Sequence, residues 1–90
     1  MAGAFAAFAT AQMDWIARQL AAGKLDVVAL AARALRISAL QVGAHAVAGA
    51  CEGVELAGGG RDATGVRAGV AGLQRALAAA RPWLEGLAAG

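Results

Sequence analysis

Asp62-Ala63-Thr64-Gly65-Val66-Arg67-Ala68-Gly69-Val70-Ala71-Gly72-Leu73-Gln74-Arg75-Ala76-Leu77-Ala78-Ala79-Ala80-Arg81-Pro82-Trp83-Leu84-Glu85-Gly86-Leu87 carries the clearest pattern in the chain. Val66, Val70, Leu73, Leu77, Ala80, Leu84 and Leu87 recur at alternating steps of four and three. On a helix of 3.6 residues per turn this draws one apolar stripe along one side. A stripe of that width is the seam of a bundle helix, which needs other helices to cover it. Asp62 precedes the first apolar residue, where a carboxylate caps the free amides of a helix start. Pro82 removes one backbone donor inside the pattern and is expected to bend the helix.

Working back from this stretch, Gly58-Gly59-Gly60 separates it from the preceding apolar run, and Gly23-Lys24 forms a second break, with Asp26 as the expected cap of the next helix. Between these breaks the chain would form one helix longer than small domains use, so Gly43 is read as a turn. The spacing predicts four helices, over 3–22, 26–40, 44–57 and 62–88. The first carries Phe5, Phe8, Ile16 and Leu20 on one side with Trp15 beside them. The second turns Val28, Leu35 and Ala39 inward and leaves Arg33, Arg36 and Ile37 outside. The third buries Val47, Cys51 and Val54 and turns Glu52 and Glu55 toward water. Short connections make successive helices antiparallel, so the expected fold is all-α, an up-down four-helix bundle in a single domain over 1–90.

Composition agrees. Ninety residues suit one domain of modest stability. Hydrophobic residues make up 60%, yet alanine fills 28 positions and aromatics only 4%, so the apolar content favours close-packed helices over a bulky core. With no run of β-branched residues and one cysteine, an all-β or disulfide-built domain is excluded. Eight basic residues against six acidic give a net charge of +2, and no three basic residues are consecutive. Nucleic-acid binders gather such charge into a stripe, so nucleic acid is not an expected partner. Cys51 has no partner for an intramolecular disulfide, which fits a reducing compartment. The longest stretch without Asp, Glu, Lys or Arg, Ile37 to Cys51, is shorter than the ~20 residues of a membrane span. The first eleven residues faintly resemble a signal peptide but have no leading positive charge, so they are read as the start of a mature helix and the protein as cytoplasmic.

The second and third predicted helices carry a further pattern: Ala32-Arg33-Ala34-Leu35-Arg36-Ile37-Ser38-Ala39, then Val42-Gly43-Ala44, Cys51, Val54 and Glu55. In this spacing the chain resembles histidine-containing phosphotransfer (HPt) domains, whose second helix reads Ala-His-x-Leu-Lys-Gly-Ser. A hydrophobic-Gly-Ala turn follows, and the next helix ends in Cys and a Leu-Glu pair. The resemblance extends to nearly the whole chain and implies the same four-helix bundle. Two departures alter what it implies about function. Arg33 stands at the position of the phosphorylated histidine, and Ile37 at that of the small glycine beside it. The family's reaction needs a neutral imidazole nitrogen as nucleophile, and a guanidinium has no lone pair to offer. The chain thus resembles a pseudo-HPt domain. A shifted register, Ala44-His45-Ala46-Val47-Ala48-Gly49-Ala50, makes His45 the alternative acceptor. It places Ala48 where the lysine belongs and loses the later Gly-Ala, Cys and Leu-Glu matches.

Each residue also has a plainer reading. Arg33 and Arg36 are neighbours on one helix face, either an ordinary solvated pair or a docking pair for an acidic surface. His45 opens the third helix, with no carboxylate, cysteine or histidine at ligand spacing, so no metal is expected. Cys51 behaves as a small buried hydrophobe, and Ser38 is expected to bond within its own helix. Trp15 and Trp83 are core anchors or part of an interaction patch. Gly58-Gly59-Gly60 lacks the strand and lysine of a phosphate loop, and no cofactor is expected.

What the resemblance implies is a binding module that engages a response-regulator receiver or a histidine kinase without carrying phosphate, through Arg33, Arg36, Ile37 and Leu40. The alternatives are an active phosphotransfer protein using His45 and a structural homo-oligomer packed through alanine- and glycine-rich faces.

Overall fold

The computed structural model describes residues 2–89, with side chains described for residues 3–87. Four helices account for nearly all of them: α1 (Ala2–Ala21), α2 (Leu25–Val42), α3 (His45–Gly59) and α4 (Ala63–Ala89). No strand occurs among the described residues. The links are three, two and three residues long, the kind that joins antiparallel neighbours. Each helix packs on its neighbours in sequence, and α4 closes back on α1, the slightest of the four main contacts. At 1.5 Å per residue α4 spans about 40 Å, so it sets the long dimension of a molecule 41 × 20 × 18 Å in extent.

Three helix ends share one design. After α1, Gly23 takes a positive φ of 73°, and the amides of Gly23 and Lys24 donate to the carbonyls of Leu20 and Gln19. After α2, Gly43 takes φ 81°, with Gly43 donating to Leu40 and Ala44 to Ala39. Both are left-handed caps that satisfy the final carbonyls and turn the chain. The third departs from expectation. Helix α3 runs on through Gly58 and Gly59, and the residue at positive φ is Arg61 (55°), its amide donating to Gly58 and that of Asp62 to Ala57. A glycine triplet permits a turn without fixing which residue makes it.

The starts are unlike one another. Asp62 caps α4 as expected, its Oδ1 accepting from the Gly65 amide at 2.9 Å. Asp26 does not cap α2: Lys24 holds that place without a side-chain bond, and Asp26 lies inside the first turn, where its charge favours the helix dipole. Pro82 lies inside α4, which continues to Ala89.

The core is a thin column of mostly small side chains: Phe5, Ala9 and Ile16 from α1, Val28, Ala32, Leu35 and Ala39 from α2, Val47, Cys51 and Val54 from α3, and Val66, Val70, Leu73 and Leu84 from α4. Leu77 and Ala80 of the α4 stripe pack at its edge, and Leu87, expected inside, is exposed. Phe8 is likewise more exposed than its place in the α1 pattern suggested. Small residues let the helices approach closely. A methyl group on Gly58 would sit 2.7 Å from the Ala29 Cβ and 3.2 Å from the Leu25 carbonyl, and one on Gly69 3.0 Å from Val54 Cγ2.

Candidate functional site

Helix α2 buries Val28, Ala31, Ala32, Leu35 and Ala39 along one side. The 3.6-residue period then forces Leu30, Arg33, Ile37 and Leu40, spaced by three, four and three, onto the opposite side. All four are exposed, the three hydrophobic ones substantially: Leu30 by 64%, Ile37 by 47% and Leu40 by 48%. Three large apolar side chains in water around one arginine form an unusual surface for a helix that already has a buried face. Asp26 and Gln41 are exposed near the two ends of the stripe.

The two arginines expected to act as a pair are in different situations. Arg33 is exposed near the middle of α2 and enters neither of the two ion pairs among the described residues, Arg18–Asp14 and Arg36–Glu55. Arg36 faces α3, where its Nε donates to Glu55 Oε2 at 2.6 Å and its Nη2 to Oε1 at 3.3 Å. This forked bond and the Glu55 charge raise the Arg36 pKa above its already high ordinary value. Arg36 is therefore engaged as a tie between α2 and α3. The expectation that Glu55 faces water is overturned, since its side chain is only 21% exposed. Glu52 does face solvent.

His45 is the first residue of α3 and is exposed. It borders a small hollow of about 290 Å³ at the α2–α3 turn, shared with Gly43, Ala76, Ala80 and Trp83. Cys51 is fully buried, and burial pushes its thiol up to about 12. Ser38 is half-buried and shows no side-chain hydrogen bond among the described residues, contrary to the expectation of a bond within its helix. No three His, Cys, Asp or Glu side chains among the described residues are grouped to hold a metal ion. None of the helices is long and apolar enough to cross a membrane.

Two features were missed in the sequence. Leu30 belongs to the α2 stripe, and the signal was present: it stands three before Arg33 and seven before Ile37. The other is Gln12, whose Nε2 donates to the Ala31 carbonyl at 3.1 Å and fixes the level of α1 against α2. No pattern within one helix announces such a partner. A wider apolar groove of about 500 Å³ lies between the first half of α1 and the later half of α4, bordered by Met13, Leu77 and Leu84 with Arg81 and Glu85. Comparison of the chain with known protein families, with curated proteins and with solved structures finds no match.

Proposed function

We propose that the protein is an HPt-like adaptor that binds a response-regulator receiver or a histidine kinase through α2 and carries no phosphate itself. The observation that carries this reading is Arg33, exposed near the middle of α2 between Leu30, Ile37 and Leu40, at the position where the resembled family keeps its histidine. An arginine there can enter an acidic pocket and pair with a carboxylate. Held protonated, it lacks the free ring nitrogen with which an imidazole takes up phosphate. Apolar side chains around a central charge supply the desolvated surround that makes such a pair count. Arg36 is left to hold α2 on α3, so the docking contacts fall to Arg33, Ile37 and Leu40, with Leu30 added. The four-helix bundle supports the reading only as a compatible scaffold, because a fold does not dictate a function. A cytoplasmic location belongs to the same proposal.

The test is a titration of receiver domains and kinase phosphoacceptor domains against the chain. Arg33→Glu is expected to weaken binding at least tenfold, about 1.4 kcal/mol or more, while His45→Ala leaves it unchanged. Equal affinity of Arg33→Glu and the parent chain, or phosphate acquired at His45, removes the proposal.

A further inference from the structure

The exposed apolar surface does not stop at α2. Phe8 and Trp15 stand four before and three after Gln12, which reaches across to the Ala31 carbonyl. Side chains at those spacings share the face of α1 that flanks α2. Both are exposed, Trp15 by 46%. Phe8, Trp15, Leu30, Ile37 and Leu40 thus place five of the eight exposed large hydrophobic residues among the described residues on the α1–α2 side.

The charges on this side point to one occupant. Asp26 and Arg33 are seven residues apart, two turns along the same exposed stripe, with Leu30 between them. Neither takes part in an ion pair among the described residues. A two-fold axis beside Leu30 sets α2 antiparallel to α2 of another copy. Asp26 of each chain then meets Arg33 of the other, twice by symmetry. Leu30 packs on Leu30 at the axis, and Trp15 flanks it. The surface is self-complementary in charge as well as apolar, the requirement of an isologous contact.

We infer that the chain forms a homodimer through its α1–α2 side, centred on Leu30 and aligned by reciprocal Asp26–Arg33 pairs. This does not depend on the proposed receiver or kinase. The dimer uses Arg33, so a partner that needs Arg33 competes with it.

Sedimentation equilibrium over a dilution series of the full chain tests the inference. The parent chain is expected to pass from monomer to dimer as its concentration rises. Asp26→Arg and Arg33→Asp, each checked for helix content by circular dichroism, should each weaken the dimer about tenfold by setting like charges together. Combining them restores self-complementarity and should recover the parent affinity. Mixing the two single variants should yield a heterodimer that neither forms alone. Leu30→Glu should leave a monomer. A parent chain monomeric throughout, or a double reversal no tighter than the singles, overturns the inference. The double variant also separates the two proposals: it should dimerise normally, yet bind a receiver no better than Arg33→Asp alone.

Discussion

The Cys51 thiol shows how far a single side chain is governed by its surroundings. It is fully buried in α3, and desolvation, with the nearby Glu55 carboxylate adding to it, raises its pKa from 9.0 to about 12. The native thiol thus keeps its proton where an unfolded chain has already lost it. Stability from this group is complete below pH 9 and falls as pH rises from there toward 12, because the unfolded state alone releases the proton. Thermal melts at pH 8 and pH 10.5 should show a lower Tm at the higher pH, and Cys51→Ala or Cys51→Val should reduce that difference. At pH 8 the native thiol should react with a disulfide reagent only as fast as the chain opens. Reaction at the rate of a free thiol would contradict its burial. That Cys51 packs inside was legible, because free cysteine is among the most buried residues and Val47 and Val54 share its side. That Glu55, one turn on from Cys51, is held out of water was not: its carboxylate is tied by Arg36, nineteen residues away.

Among the helices, spacing in sequence exposed the faces and left the ends and close approaches undetermined. All four helices fall within a few residues of the expected ranges, since periodic apolar residues and the caps at Gly23, Gly43 and Asp62 are local signals. Gly58, Gly59 and Gly60 read alike in the sequence, yet only Gly58 is buried against another helix. Gly58→Ala should cost about 1–3 kcal/mol, because its methyl group meets Ala29 and the Leu25 backbone. Gly53→Ala, on the exposed side of the same helix with nothing within 4 Å, should instead stabilise by roughly 0.5–1 kcal/mol. Urea denaturation of the two variants checks both signs. Opposite signs from one substitution in one helix cannot come from helix propensity alone.

For the whole molecule, the unequal helix contacts set the order in which it loosens. Helix α1 packs on α2 and, more slightly, on α4, beside which the 500 Å³ groove opens. Helices α2 and α3 share the broadest contact and the Arg36–Glu55 tie. Amide exchange followed by mass spectrometry should therefore release α1 before the α2 turns around Leu35. Equal protection of all four helices would show that the bundle opens only as a unit. This grading was not legible in the sequence, where the α1 pattern looks as strong as the α2 pattern. It depends on how much apolar surface finds a partner across the bundle.

The guanidinium of Arg36, locked in a fork by Glu55, has a bearing on how this chain could change over generations. Under the proposed reading, replacing Arg33 by histidine would supply a nucleophile, but the cation one turn away would already be spoken for. The ring would also still be crowded by Ile37. Under that reading, acquiring phosphoryl transfer would take several coordinated changes, each of little benefit alone, so a gain of catalysis by single mutational steps would be obstructed.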